Sequence, residues 1–167
     1  RFNVAPCGRR SGKTHLAKLR ASKRAVTEEG IYFIAAPTYG QVKRIYWREI
    51  KDLLRPAVAK ISESDLIVTL DNASEIHLIG LDKPERIEGT PGTWGILDEF
   101  ADIKPHAWLE NVRPALSTPG LNTGADIIGV PEGLNHFFDV SEYAKNGSDE
   151  DWAFHTWHSS DVLDPKE

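Results

Sequence analysis

The chain has 167 residues, 40% of them hydrophobic, with a formal net charge of −5, which is enough apolar content for one domain to bury a core. No stretch approaches the roughly 18 apolar residues of a membrane span, no signal-peptide pattern opens the sequence, and the single cysteine, Cys7, excludes an internal disulfide framework, so a soluble protein of a reducing compartment is expected. The charge is strongly polarised: residues 1–60 hold 14 Lys/Arg against 4 Asp/Glu, and residues 61–167 hold 6 against 21, a distribution that suits polyanion binding or head-to-tail packing of identical subunits, and equally helix faces that are merely solvated.

In chain order, "RFNVAP" (residues 1–6) is short and partly apolar and reads as a strand running into a glycine-bearing loop. Residues 14–29 read as a helix stopped by Gly30, and "IYFIAAP" (31–37) as a buried strand. From Tyr39 to Val58 the residues Val42, Ile45, Tyr46, Ile50, Leu53, Leu54 and Val58 recur at helical spacing, with Lys43, Arg44, Arg48, Lys51 and Arg55 on the other face. "DLIVTL" and "SEIHLIG" flank Asp71-Asn72-Ala73 and predict a hairpin. A Gly- and Pro-bearing loop (81–92) leads to the apolar strand "TWGILDEF" (93–100). "HAWLENVRPAL" predicts a helix stopped near Pro114, "GADIIGV" (124–130) a strand, "LNHFFDVSEYAKNG" a helix and "DWAFHTWHSS" (151–160) a last strand. Strands alternating with helices predict an α/β fold with a mostly parallel central sheet flanked by helices.

The loop Cys7-Gly8-Arg9-Arg10-Ser11-Gly12-Lys13-Thr14 fits G-x-x-x-x-G-K-[ST] with Cys7 in place of the first glycine, and it lies between a predicted strand and a predicted helix. Such a loop cradles phosphates with its backbone N–H groups, extends Lys13 to the β/γ-phosphates and offers the Thr14 hydroxyl to Mg²⁺. "WGILDEF" delivers Asp98 and Glu99 to the carboxyl edge of a strand, where ligands bind in open α/β sheets. Asp98 suits the outer sphere of Mg²⁺, and Glu99 suits polarising a water for attack on a γ-phosphate, so the pair argues for hydrolysis rather than kinase chemistry. Arg9, within the loop, and Arg86, in the loop before Asp98, are both placed to offset the charge that develops on the leaving phosphoryl group. Arg10 reads as facing solvent or a neighbouring subunit.

Other residues leave plainer alternatives. Cys7 is either a redox-sensitive thiol or a small residue tolerated at the loop's first position. The six histidines show no paired spacing, which argues against zinc. Trp47, Trp94, Trp108, Trp152 and Trp157 read mainly as core, with base stacking as the alternative. The basic helix face from Lys43 to Arg55 suits phosphate or subunit contact, or simple solvation.

Taken in order, "CGRRSGKT", "AAPTYGQVKRIYW", "LDNASEIHLIGLDKPERIEGT", "WGILDEFAD", "AWLENVRPAL" and "IIGVPEGLNHFFD" resemble the ATPase domain of the large terminase subunits of tailed bacteriophages, the motors that package DNA. The resemblance implies a P-loop NTPase fold of the catalytic-glutamate (ASCE) branch and ATP hydrolysis with Mg²⁺. It implies nucleotide binding by Gly8, Arg9, Arg10, Ser11, Gly12, Lys13 and Thr14, metal binding by Thr14 and Asp98, and catalysis by Glu99, Arg9 and Arg86. The family carries an arginine at the place of Arg9, and commonly one at or near Arg86 that works between subunits of a ring. Its Thr-Pro coupling motif corresponds to Gly129-Val130-Pro131, where Val130 lacks the hydroxyl, while Pro131, Gly133, Asn135, His136 and Phe137 fit the pattern.

Implied partners are double-stranded DNA, a homo-oligomeric ring on a capsid portal and a small terminase subunit, with no membrane, in the cytoplasm of an infected bacterial host. The chain begins at Arg1 and lacks methionine, so residues 1–167 are expected to be an ATPase domain cut from a longer protein, without the family's N-terminal adenine-binding segment and C-terminal nuclease domain. A superfamily 2 helicase-like translocase, for which "LDEF" resembles a DExx box, and a nucleotide-switched binding module are the competing readings.

Overall fold

The computed structural model describes residues 1–117 and 122–162. Eight strands form one sheet: β1 (Phe2–Pro6), β2 (Ile31–Ala36), β3 (Val58–Ser62), β4 (Ile67–Leu70), β5 (Glu75–Gly80), β6 (Trp94–Leu97), β7 (Gly124–Gly129) and β8 (Trp152–Phe154), in the order β3-β4-β5-β2-β6-β7-β1-β8. The six strands from β5 to β8 pair in parallel, and β3-β4-β5 form an antiparallel end. This is the α/β architecture expected from the alternation of elements.

Both faces of the sheet are covered, and the sequence shows why. In β2, Tyr32, Ile34 and Ala36 face one apolar layer while Phe33 and Ala35 face the other, so the strand is apolar throughout instead of alternating. The first layer is closed by α1 (Lys13–Thr27), which lays Ala17, Ala21 and Ala25 against the sheet, and by a helical run along the second predicted helix. That run comprises α2 (Tyr39–Val42), a π-helical segment (Lys43–Trp47) and α3 (Arg48–Leu54). The second layer is closed by a π-helical segment (Ala107–Val112) continuing into α4 (Arg113–Ala115), and by α5 (His136–Asn146). Trp47, Trp94 and Trp108 are buried, as their apolar surroundings predict, and Trp152 and Trp157 are half-buried.

Several boundaries differ from expectation; β6 ends at Leu97 instead of Phe100, where a 3₁₀ turn (Phe100–Asp102) begins after the left-handed Glu99. The second helix ends at Leu54 instead of Val58, because Pro56 carries no N–H and its ring crowds the preceding turn; a 3₁₀ turn (Arg55–Ala57) follows. Val58 then begins β3, an edge strand whose Ala59, Lys60 and Ile61 are exposed, so no buried period marks it. The last strand stops at Phe154, because the residues after it leave the sheet for the glycine-bearing loop. At the predicted hairpin turn, Ala73 adopts φ 66°, and the Asn72 side chain donates to the Ala25 carbonyl at 2.9 Å, fastening the turn to the end of α1.

A partly buried ion pair fixes α1 laterally. Asp126 on β7, 4% exposed, accepts from Arg20 Nε at 2.8 Å, Arg20 Nη2 at 3.0 Å and Asn3 Nδ2 at 2.8 Å. Because the Arg20 side chain is 42% exposed, solvent screens part of the interaction. Asp126→Ala is expected to destabilise the fold by about 2 kcal/mol, less than a fully buried broken pair, as measured by urea denaturation.

Candidate functional site

The site forms where the chain leaves β1 and β6 at the carboxyl edge of the sheet. β1 ends at Pro6, and the Cys7 N–H donates to the Gly129 carbonyl at the end of β7, at 3.0 Å. The loop then turns through two left-handed residues, Arg10 (φ 59°) and Gly12 (φ 79°), before Lys13 starts α1. Gly12 is the N-cap residue with no side-chain cap, so the amides of the first turn have no side-chain acceptor there. Gly8, Arg9, Arg10 and Gly12 are exposed, whereas Ser11 and Lys13 are buried. The Ser11 hydroxyl is buried without a hydrogen-bond partner.

The segment after β8 lies along this loop as a strap. Thr156 Oγ1 donates to the Pro6 carbonyl at 3.0 Å, Trp157 Nε1 to the Ser11 carbonyl at 2.7 Å, and Ser159 Oγ to the Arg9 carbonyl at 2.6 Å. Beside it, a cavity of about 560 Å³ runs from Lys13 along Leu16 and Arg20 of α1 to Asp126, Phe154 and Trp157.

Asp98 and Glu99 follow β6. Asp98 is 1% exposed, and three donors hold it: Tyr46 Oη reaches Oδ2 at 2.6 Å, Thr14 Oγ1 reaches Oδ2 at 3.1 Å, and the Glu99 N–H reaches Oδ1 at 2.9 Å. Glu99 adopts φ 52°, a strained conformation for a residue with a side chain, and its carboxylate lies 3.9 Å from Lys13 Nζ. Burial pushes the Glu99 pKa above its ordinary value; Lys13 opposes the shift, and the negative charges of Asp98, Asp102 and Glu132 add to it. Burial, then the Asp98 charge and hydrogen bond, push Tyr46 well above the usual phenol range, so Tyr46 stays a donor. Burial also raises the Cys7 thiol, which disfavours the reactive thiolate.

The structure therefore brings Lys13, Thr14, Asp98 and Glu99 together. Arg86 lies apart from their hydrogen bonds, on an exposed 3₁₀ turn (Pro84–Ile87), with its guanidinium 6.0 Å from the Tyr39 ring centre. At the segment matched to the coupling motif, Gly129 ends β7, Val130 is half-buried and Pro131 is exposed. A side chain on Gly129 would come within 3.1 Å of the Phe100 amide. His136 reaches the Phe100 carbonyl at 2.9 Å, which links α5 to the turn that carries Glu99. On the basic helix face, Arg48, Lys51 and Arg55 pair with Asp52 or Glu63, while Lys43 and Arg44 are exposed and form no ion pair among the described residues.

Among the described residues no cluster of three or more His, Cys, Asp or Glu is arranged to hold a metal ion. The donors present, one hydroxyl and one carboxylate 3.1 Å apart, are hard oxygens of the kind Mg²⁺ takes when phosphate and water complete its shell, so the residues fit that ion. Sequence reasoning missed Tyr46, read there as part of an apolar stripe. Its hydroxyl was the available signal, since a buried phenol needs a partner.

A family model described as the N-terminal part of the T4likevirus-type large terminase subunit matches residues 6–148. The chain belongs to this family. The large terminase subunit of Thermus virus P23-45 is 31% identical over 157 residues, covering 81% of the chain and 32% of the relative. That of Thermus phage G20c is 29% identical with the same coverage, so the chain spans about a third of the length of these terminases. Among solved structures, the large terminase ATPase domain of Thermus phage P74-26 matches with a TM-score of 0.73 at 26% identity, over 94% of this chain and 74% of that one. The large terminase of another thermophilic bacteriophage, solved in complex with ATP-gamma-S, shares the fold, with a TM-score of 0.75 at 20% identity over 99% of this chain and 41% of that one. As in the sequence, no described helix is long and apolar enough to cross a membrane.

Glu99 carries a thermodynamic signature. Its folded pKa lies above the ordinary 4.5, so the folded protein binds this proton more tightly than the unfolded chain. Glu99 therefore costs stability as pH rises past that value, and costs most above its folded pKa. Glu99→Gln is expected to raise the Tm more at about pH 8 than at about pH 4.5, as read by thermal melts of both proteins across that range.

Proposed function

We propose that this terminase chain is an Mg²⁺-dependent ATPase domain that drives double-stranded DNA into a procapsid as one subunit of a ring on the portal. The observation that carries the reading is the meeting of the loop 7–14 with Asp98 and Glu99 at one edge of the sheet. Family membership supports it, as does the likeness to a P74-26 domain described as an ATPase.

In this reading the loop amides and the N-terminus of α1 take the phosphates of ATP, and Lys13 adds a point charge at the β/γ-phosphates. Bound Mg²⁺, held by Thr14 Oγ1 and by Asp98 through its water shell, would neutralise charge on the phosphate oxygens. Lys13 faces Glu99 at 3.9 Å. Phosphate gives Lys13 a more highly charged partner, which leaves Glu99 free to orient a water. Glu99 takes a proton from that water as its oxygen bonds the γ-phosphorus and ADP leaves; its raised pKa makes it a better base than an ordinary carboxylate.

Arg9 is exposed on the loop and suits the γ-phosphate of its own site. Arg86, exposed on a turn outside the cluster, suits the nucleotide of a neighbouring subunit. Gly129, Val130 and Pro131 lie between the loop, through the Cys7 bond, and α5, and so suit transmission of the nucleotide state. The small terminase subunit belongs to the same proposal, as does the cytoplasm of an infected host.

Two measurements test this reading. Glu99→Gln is expected to retain ATP binding and lose at least about 10²-fold in turnover, the scale of a general base; turnover at the wild-type rate would remove Glu99 from the mechanism. Turnover per chain is expected to rise with protein concentration in the wild type and to stay low in Arg86→Ala. A flat specific activity indifferent to Arg86 would show a site complete within one chain.

A further inference from the structure

Asp98 lies where α1, the π-helical segment Lys43–Trp47 and β6 meet. Of the roughly four acceptor positions on a carboxylate, three are filled, and Oδ2 has both of its own filled by Tyr46 at 2.6 Å and Thr14 at 3.1 Å. The Tyr46 contact is the shortest of the three, and the residue has no exposed surface. Both ends of Tyr46 are held. Its hydroxyl meets Asp98, and its ring lies 5.3 Å from Lys18 Nζ, which is itself buried and paired with Glu49 at 2.8 Å. Thr14 and Lys18, one helical turn apart on α1, thus approach the two ends of the same tyrosine.

The π-helical turn explains how Tyr46 reaches so far. Its wider winding turns both Tyr46 and Trp47 inward, and Trp47 Nε1 anchors the segment by donating to Glu63 at 2.7 Å. Such insertions occur often at functional sites.

We propose that Tyr46 is a positioning residue for the metal site: its hydroxyl holds the Asp98 carboxylate in the orientation in which, with Thr14, it receives the hydrated Mg²⁺ of the nucleotide. This deepens the proposed ATPase reading and rests on it. Without the hydroxyl, Asp98 keeps its charge and its bonds to Thr14 and Glu99 but can rotate about its own side chain, so the loss falls on metal-assisted binding. Nucleotide contacts made by the loop are untouched.

The test uses the 167-residue chain, a fluorescent ATP analogue and MgCl₂. Nucleotide affinity is measured in EDTA and at increasing Mg²⁺ for wild type, Tyr46→Phe and Ile50→Val, with a melting curve for each. Ile50 is buried in the same helical layer but is outside the site, so Ile50→Val reports on loosened packing alone. Tyr46→Phe is expected to match wild type in EDTA, to need about 5- to 10-fold more Mg²⁺ for half of the affinity gain, the scale of one hydrogen bond's net contribution, and to show the same shift in the Mg²⁺ dependence of turnover. Ile50→Val is expected to melt lower with an unchanged Mg²⁺ requirement.

An unchanged requirement in Tyr46→Phe, an equal shift in Ile50→Val, or a Tyr46→Phe chain that does not fold would each overturn the proposal in favour of a purely structural tyrosine. A wild type whose nucleotide binding ignores Mg²⁺ would instead sink the ATPase reading beneath it.

Discussion

A buried carboxylate must find hydrogen-bond donors or it destabilises the fold, and at Asp98 the partners come from three places in the chain. Thr14 belongs to the first turn of α1, Tyr46 to the π-helical segment, and the Glu99 amide to the turn after β6. The sheet order makes the meeting possible. β1 and β2 are consecutive in the chain but are separated in the sheet by β6 and β7, so α1 must pass over those strands on its way from one to the other. The crossover carries the start of α1 past the end of β6, and the crevice at such a switch point is where α/β sheets bind ligands. One constraint thus ties topology to site: satisfying Asp98 requires the loop, the second helical run and the central strand to be in register.

The site holds two of the four non-glycine residues with positive φ among the described residues, the others being Leu66 and Ala73. Arg10 and Glu99 carry side chains at φ 59° and 52°, Ser11 buries an unpartnered hydroxyl, and Glu99 holds its charge against burial and neighbouring carboxylates. Each departure costs stability. The two apolar layers offset that cost, because β1, β2, β5, β6 and β7 each send residues into both of them. Strain held at a site by a stable scaffold is a means of pre-organisation.

Much of this was legible in the sequence because it is periodic or local. β2 and the helix faces show in their apolar period, and the loop and the Asp98-Glu99 pair show in their spacing between a strand and a helix. What escaped depends on partners distant in sequence. β3 has an exposed, lysine-bearing edge and no inward stripe. The helix after Tyr39 has a spacing that α- and π-turns both satisfy, so neither the inward turn of Tyr46 nor its role at Asp98 could be read from it. The Asp126–Arg20 pair joins residues 106 positions apart. "DWAFHTWHSS" has the composition of a strand, but Thr156, Trp157 and Ser159 donate to loop carbonyls instead of to a neighbouring strand, a choice made by what lies nearby rather than by propensity.

The strap shows how a segment outside the loop's motif can complete the motif's chemistry. In a trans peptide the carbonyl and the following N–H point in opposite directions. When Ser159 and Trp157 capture the carbonyls of Arg9 and Ser11, they also direct the N–H groups of Arg10 and Gly12 away from the strap. Those two residues are the ones in left-handed conformation, and alternation of left- and right-handed residues makes successive amides converge on one concavity that favours an anion. The motif supplies glycines and a lysine but nothing that holds its own carbonyls, and the strap supplies that missing constraint. Any displacement of residues 156–159 therefore has to release loop carbonyls, and the loop amides cannot reorient without breaking strap hydrogen bonds. These hydrogen bonds tie the two segments together, although nearly the whole chain separates them in sequence.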